Sequence, residues 1–157
     1  MPNLLIFEPV NFALENKFSF AIIYENKITK IKMLCNSGII NTKEIPQTFH
    51  VLSEHLPSIL RSKCFNDENK PFFEEVNETE IGHLFEHILL EYFCQFKLAE
   101  GVNRVMVSGV TDWNWRRDKF GTFRITINAG KTDNEIFLKA FRQSVKLLKI
   151  ILEENVN

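Results

Sequence analysis

Two histidines and a glutamate lie close together in the segment IGHLFEHILLEYF, residues 81–93. His83 and His87 are four positions apart, and Glu86 directly precedes the second histidine. Residues at this spacing share one face of an α-helix, so two imidazole nitrogens can converge on one metal ion about 2 Å from each. The order His-x-x-Glu-His is also the inverted zinc-hydrolase signature, in which the glutamate activates a water. The segment therefore predicts a zinc site with His83 and His87 as ligands and Glu86 as the catalytic base.

The helix face that carries the histidines is otherwise acidic. With about 100° between successive residues, Glu80, His87 and Glu91 fall within about 80° of His83. No lysine or arginine interrupts this face before Lys97. The alternative is an ordinary hydrated face, but such faces usually mix lysine or arginine with glutamate. We expect Glu80 and Glu91 to orient the imidazole rings.

A third metal ligand has to come from another part of the chain. Glu91 is eight residues from His83, about 12 Å along a helix axis, which is too far for the same ion. Three carboxylates later in the chain are the natural candidates: Asp112, Asp133 and Glu135. The residues alone leave the choice among them open.

A second stretch with binding chemistry is TDWNWRRDK, residues 111–119. Trp113 and Trp115 alternate with polar residues. Arg116 follows in the same loop, and Arg124 lies on the next β-rich run. Aromatic rings and guanidinium groups between two strands can form a ligand wall by stacking and by binding carboxylates. We therefore predict substrate-binding roles for Trp113, Arg116 and Arg124. A hairpin tip whose tryptophans pack back on the sheet is the open alternative.

The composition is that of a globular chain without a general affinity for nucleic acid or membranes. The 157 residues fit one domain, 45% of them are apolar, and the formal net charge is −1. No apolar run reaches the roughly 18 residues that a membrane span needs. The three cysteines are widely spaced and odd in number, which indicates a reducing compartment and no disulfide framework. We expect a cytoplasmic protein.

A small set of secondary-structure elements has to position these residues. Residues 17–34 have the pattern of a β-hairpin, and a short apolar strand precedes it in residues 3–10. The helix with the histidines is predicted from Glu78 to Ala99, with Asn77 and Glu80 as a capping box.

Further patterns complete the predicted fold. EIPQTFHVLSEHLPSIL is helical with a break at Pro57. RVMVSGV and GTFRITINAG are β-rich, and a last helix is predicted from Asn134 to Glu153. The order β-ββ-α-α-ββ-α is typical of the α+β class. We predict a single domain, residues 1–157, with a mostly antiparallel sheet packed by about three helices.

The run LPSILRSKC…ETEIGHLFEHILLEY…GV is similar to the N-terminal domain of cyanophycin synthetase, the enzyme that makes the aspartate–arginine storage polymer. That family has a Leu-Pro segment before a cysteine, a Thr/Glu-led helix with these histidines, a glycine turn, a β-pair and an acidic helix start. The corresponding positions here are Leu56-Pro57, Cys64, Thr79 to Glu91 with His83, Gly101 and Glu135. The similarity extends from about residue 46 to residue 150.

The resemblance implies a polymer-handling domain, linked in some members to a metal-dependent site that cuts the polymer into primers. Carried over residue by residue, it makes His83 and His87 metal ligands, Glu86 the general base and Glu135 the third ligand. The family's ATP-grasp and ligase-like regions are not found in this sequence, so we expect no polymerisation. The stretch SGVTDWNWRR departs from the family's arginine-bearing pattern, which leaves another peptide or amide open as the substrate.

Three functions are consistent with these observations, in order of preference. The first is a zinc-dependent hydrolase of amide bonds in a peptide-like polymer such as cyanophycin. The second is a non-catalytic module that binds cationic or cyanophycin-like peptide chains, and the third is a packing domain of a larger assembly. The expected ligands are zinc and a peptide-like substrate, with neither nucleic acid nor membrane. A homo-oligomer or a separate synthetase stays open as the protein partner.

Overall fold

A computed structural model describes residues 5–6, 17–62, 70–103 and 105–154 of the chain. Its strands are β1 Leu5–Ile6, β2 Phe18–Tyr24, β3 Thr29–Cys35, β4 Gly109–Asp112 and β5 Thr122–Ile127. They form one antiparallel sheet in the order β1-β2-β3-β5-β4. The hairpin predicted for residues 17–34 is confirmed as β2 and β3. The strand predicted for residues 3–10 is present at β1, and its remaining positions lie outside the described residues.

One face of the sheet is apolar because β2, β3 and β5 alternate between buried and more exposed side chains. β4 is mostly exposed and lies at the edge of the sheet. RVMVSGV, predicted to be β-rich, is a strand only from Gly109 onward. Before that point the Asn128 side chain binds the backbone of Met106 and Ser108, which takes the place of a strand ladder.

Three α-helices accompany the sheet. They are α1 Thr48–His55, α2 Ile81–Ala99 and α3 Asn134–Glu153, and α2 packs against both α3 and the β4–β5 hairpin. Two 3₁₀ segments, Pro57–Arg61 and Phe72–Glu74, lie between α1 and α2. The break predicted at Pro57 and the bounds predicted for α3 are confirmed, as is the α+β class. Within the described residues, none of the helices combines the length and apolar character of a membrane-spanning segment.

The start of α2 differs from the prediction by three residues. The helix begins at Ile81, and its N-cap Glu80 makes no side-chain capping bond, so the capping box of Asn77 and Glu80 is wrong. The backbone of another segment takes over the capping. Ile81 N donates to Ile40 O at 2.8 Å, and Glu80 forms a bridge with Asn41. This tertiary bonding satisfies the free N–H groups at the helix end and fixes where α2 begins.

A glycine brings the first turn of α2 directly onto the sheet. A Cβ atom on Gly82 would lie 2.3 Å from Cγ of Phe123, whose ring is fully buried on β5. Only a residue without a side chain permits this close approach. The contact fixes the height of His83 and its neighbours above the sheet.

Candidate metal centre

The two histidines of α2 meet at their ring nitrogens. Nε2 of His83 and Nε2 of His87 are 3.1 Å apart, and the two rings are nearly perpendicular. The Glu75 carboxylate, just after the 3₁₀ segment, joins them, and the ligand atoms of all three residues lie within 4.8 Å of one another. The helical spacing thus places the two imidazoles as predicted, and a third potential ligand adjoins them.

The hydrogen bonds of Ser62 determine the tautomer of His87. The Ser62 hydroxyl donates to Ile59 O at 2.7 Å and lies 3.3 Å from Nδ1 of His87. Because a hydroxyl carries one proton, Ser62 has to accept from Nδ1–H of the ring. The lone pair of His87 is therefore on Nε2, directed at His83.

Thr79 holds the other imidazole. Its Oγ1 lies 2.8 Å from Nδ1 of His83. In the metal-free protein, Nε2–H of His83 donates to the Nε2 lone pair of His87, so Nδ1 of His83 accepts from Thr79. A metal ion on both Nε2 atoms would move that proton to Nδ1, where Thr79 Oγ1 accepts it. The hydroxyl of Thr79 serves both tautomers.

The surroundings keep both imidazoles neutral. Phe72 stacks on His87 with ring centroids 4.1 Å apart. Burial, with a contribution from His83, lowers the pKa of His87 to about 3. Burial also lowers the pKa of His83, against an opposing effect of the Glu80 charge. Neutral imidazoles have a free lone pair, which is the form that binds metal.

These three residues suit a zinc ion by donor type and spacing. Two nitrogens bound to one tetrahedral zinc at 2.0–2.1 Å are about 3.3 Å apart. The observed separation of 3.1 Å differs from this by a few tenths of an ångström, so the rings need only a small movement. One carboxylate and two imidazoles form a ligand set found in catalytic zinc sites, which leave a further position open.

A pocket of about 350 Å³ opens beside His83. Its lining contains Thr111 and Trp113 of the β4 region together with three acidic residues. The acidic residues are Glu75, Glu78 and Glu80. The ligand atoms therefore adjoin a space large enough for part of a substrate.

Glu86 extends toward β4, and Thr111 separates it from the pocket lining. Its side chain is 5% exposed, and the Thr111 hydroxyl donates to Oε1 at 2.7 Å. Burial raises the pKa of Glu86, and the bond from Thr111 partly offsets that rise. Thr111 itself lines the pocket, so it links the Glu86 carboxylate to the site.

The third ligand predicted from the family pattern, Glu135, lies at the wrong end of α2. Its neighbour Asp133 pairs with Lys97 at 3.4 Å. Lys97 is in the last turn of the helix, about 21 Å along the axis from His83. Glu135 borders a separate recess there, so neither it nor Asp133 can reach the imidazoles. The carboxylate that lies next to the two imidazoles is that of Glu75.

The roles predicted for Glu80 and Glu91 also need correction. Glu80 lines the pocket and acts on His83 through its charge, but the imidazole nitrogens bind the hydroxyls of Ser62 and Thr79. Glu91 is two turns further along α2, where its charge acts on Cys94. At Nδ1 of each ring the hydrogen-bond partner is therefore a hydroxyl group, where a carboxylate of Glu80 or Glu91 was expected.

The predicted substrate-binding residues separate in the structure. Trp113 lines the pocket, 39% exposed, with its ring against Phe123. Arg116 is exposed in the loop after β4 and is not part of the pocket lining within the described residues. Arg124 points to the opposite face of the sheet, where it binds Asp118 through two hydrogen bonds of 2.9 and 2.8 Å. Alternation along β5 puts Arg124 there. Asp112, the remaining candidate ligand, neighbours Arg124 in register.

Several residues of the centre escaped the sequence reasoning. Glu75 sits in an acidic pair, PFFEEV, with no periodic pattern to give its direction. Thr79 offered a usable signal, because a hydroxyl four residues before His83 can reach back along the helix start. Ser62 and Phe72 come from segments whose packing no local pattern predicts.

Residues 30–109 match the family model of the cyanophycin synthase-like N-terminal domain, which covers just over half of the chain. The chain belongs to this family. The match spans β3, α1 and all of α2, includes Glu75 and both histidines, and ends where β4 begins. The similarity predicted for this cyanophycin synthase-like domain ran from about residue 46 to residue 150. The match begins earlier, at residue 30, and also ends earlier, at residue 109. No curated protein matches the chain.

Proposed function

We propose that this cyanophycin synthase-like domain is a zinc-dependent hydrolase that cleaves amide bonds in a peptide-like polymer such as cyanophycin. The observation that carries the proposal is the convergence of Glu75, His83 and His87 beside an open pocket. Three protein ligands with a vacant fourth position are the usual arrangement of catalytic zinc sites. The two imidazoles are already neutral, so binding a cation does not require removing a charge.

The residues divide the chemistry among them. Zinc held by Glu75, His83 and His87 would supply a Lewis acid that polarises the scissile carbonyl and acidifies the attacking water. Glu86 accepts the proton of the attacking water and transfers it to the leaving amine. Its raised pKa brings it nearer the working pH, which favours both steps. Residues three apart on a helix have Cβ atoms about 5–6 Å apart, so the Glu86 side chain reaches a group at His83 once its carboxylate turns away from Thr111. Thr111 holds its carboxylate.

The pocket lining supports a substrate with positively charged side chains. The lining combines three carboxylates with the indole ring of Trp113; the carboxylates are those of Glu75, Glu78 and Glu80. Carboxylates attract guanidinium groups, and an indole face binds them by cation–π interaction. The aspartate–arginine polymer cyanophycin has this chemistry, and the family model that matches the chain is described as cyanophycin synthase-like.

The second candidate function is a non-catalytic module that binds the same cationic chains. It is favoured by the position of Glu86, since Thr111 stands between this carboxylate and the pocket. In that case the acidic lining and Trp113 bind substrate, and the histidines serve only the structure.

Zinc content and hydrolysis of protein purified without a polyhistidine tag separate the two functions. We expect one equivalent of zinc and cleavage of an aspartate–arginine oligomer by the wild type. Glu86→Gln should keep the zinc and lose the activity, whereas His83→Ala should lose both.

Two matched carboxylate substitutions test the ligand set. Glu75→Gln should weaken zinc binding, and Glu135→Gln should leave it unchanged because that side chain lies at the other end of α2. Wild-type protein that stays metal-free in the presence of zinc, yet binds the oligomer, would establish the binding module and refute the hydrolase. Full activity in Glu86→Gln would remove its role as base.

A further inference from the structure

Among the described residues, no strand pairs with the edge of the sheet next to the metal centre. β4 pairs with β5 on one side, and it is the last strand of the sheet on the other. Gly109 and Val110 are exposed, and Thr111 is half-buried. An edge strand presents main-chain N–H and C=O groups that can pair with another extended chain.

The alternation of hydrogen-bonded and non-hydrogen-bonded pairs between β4 and β5 shows which main-chain groups of β4 face outward. Asn128 N donates to Ser108 O at 3.0 Å, so the pair of residues 108 and 128 is hydrogen-bonded. Bonded pairs alternate along an antiparallel ladder, so Val110 and Asp112 bond to β5. The N–H and C=O groups of Gly109 and Thr111 then point away from the sheet.

The hydrogen bonds between β3 and β5 lead to the same assignment of the outward groups of β4. Cys35 N donates to Gly121 O at 2.9 Å, which makes that pair hydrogen-bonded on the β3 side of β5. By alternation the odd-numbered residues of β5 bond to β3 and the even-numbered ones bond to β4. Within residues 5–6, 17–62, 70–103 and 105–154, the outward main-chain groups of Gly109 and Thr111 have no partner.

This open edge is continuous with the pocket of the metal centre. Thr111 supplies both outward main-chain groups and part of the pocket lining, and Trp113 continues the lining just past the strand. His83 lies across the same space. A chain paired with β4 would therefore run past the metal ligands.

We propose that the substrate's polypeptide main chain binds as an additional β-strand along the free edge of β4, paired with Gly109 and Thr111. The proposal rests on the proposed function, because its occupant is the chain that is bound or cleaved at the metal centre. Main-chain pairing of this kind supplies affinity for any extended chain, and side-chain contacts supply the selectivity. The outward groups repeat every second residue, about 6.8 Å apart, so only every second substrate residue pairs with the edge.

Amide hydrogen exchange on zinc-loaded Glu86→Gln protein tests the pairing, because this variant should bind substrate without turnover. The probe is a short synthetic aspartate–arginine oligomer with a polyaspartate main chain. Without it, the Thr111 amide should exchange fast and the Val110 amide slowly, since Val110 bonds to β5. Saturating oligomer should slow exchange at Thr111 by about tenfold or more, the change expected for one new hydrogen bond, and leave Val110 unchanged. Unchanged exchange at Thr111 while the oligomer is bound would overturn the proposal.

Two isomeric oligomers provide the matched control on the substrate side. Both isomers carry the same number of main-chain N-methyl groups. In the alternating isomer these groups are on every second residue, and in the consecutive isomer they are on adjacent residues in the centre. The alternating isomer should bind like the unmodified oligomer, and the consecutive isomer should bind about tenfold more weakly. Equal affinity of the two isomers would refute strand pairing.

The outcomes distinguish this inference from the proposed function. Cleavage or tight binding of the oligomer without protection of Thr111 refutes the strand pairing alone. No cleavage and no binding of the oligomer refutes both. Protection of Thr111 that depends on protein concentration in the absence of oligomer assigns the edge to a second copy of the chain, which also overturns the inference.

Discussion

Replacement of Thr79 by valine isolates one hydrogen bond of the metal centre. The Thr79 side chain is buried, and its Oγ1 lies 2.8 Å from Nδ1 of His83. Valine keeps the shape of threonine and removes the hydroxyl. The backbone bonds between Thr79 and Thr42 do not involve that hydroxyl, so the start of α2 should be preserved.

The expected size of the effect follows from the two states of His83. In the metal-free protein the bond joins neutral groups and contributes about 1 kcal/mol. With zinc on Nε2, the ring carries partial positive charge, and a bond from such a group contributes about 1.5–3 kcal/mol. The difference between the two states is roughly 1.4 kcal/mol, which corresponds to about tenfold weaker zinc binding in Thr79→Val. Metal-free Thr79→Val should also be about 1 kcal/mol less stable than the wild type.

Competition with a chromophoric zinc chelator measures the affinities. Thr79→Ser keeps the hydroxyl and should bind zinc almost as tightly as the wild type. Glu91→Gln removes a carboxylate that lies two turns along α2 from His83 and does not line the pocket, and it should also match the wild type. If Thr79→Val binds zinc as tightly as wild type, the hydrogen bond does not support the metal site. If Thr79→Ser is as weak as Thr79→Val, packing accounts for the loss and the hydroxyl does not.

Three further predictions concern other parts of the structure. In the metal-free protein His87 has a pKa of about 3, against 6.5 for a free imidazole. Its neutral form therefore contributes stability that is complete above pH 6.5 and is lost as the pH falls toward 3, up to about 5 kcal/mol over the whole range. Urea unfolding should show a smaller loss between neutral and acidic pH for His87→Asn than for the wild type, and parallel pH profiles would contradict this.

Thr111→Val removes a hydrogen bond that lowers the Glu86 pKa, so the acidic limb of the hydrolysis profile should move to higher pH, whereas Thr111→Ser should restore it. If the acidic limb of the pH–rate profile does not move in Thr111→Val, the Thr111 hydrogen bond does not set the pKa of the base. Gly82→Ala places a Cβ 2.3 Å from Phe123 and should lower the free energy of unfolding by about 1–3 kcal/mol. Thermal denaturation measures this loss. A variant as stable as the wild type would show that α2 does not approach Phe123 so closely.

The elements with strong periodic patterns were predictable from the sequence. The hairpin of residues 17–34 and the helix from Asn134 to Glu153 follow directly from alternation and amphipathic spacing. The meeting of His83 and His87 follows as well, because a separation of four residues on a helix fixes their relation without tertiary information. These features depend on local geometry alone.

The third ligand and the imidazole partners depend on packing between distant segments. Asp133 and Glu135 are next to α2 in space, but α3 begins beside the C-terminal end of that helix, and the histidines lie near its N-terminal end. No local sequence pattern predicts which end of α2 lies beside the start of α3. The position of Arg124 was open to a better prediction, because strict alternation along β5 assigns it to the face opposite the helices.

A backbone hydrogen bond beside His87 joins two residues that are ten positions apart in the chain. Phe72 N donates to Ser62 O at 2.7 Å, so the two ends of the connecting segment are held together beside His87. The cost of closing a loop grows slowly with its length, by about 0.6 kcal/mol for each doubling. A longer or shorter connection between Ser62 and Phe72 should therefore cost little stability, provided that this backbone bond and the contacts of both residues with His87 are kept.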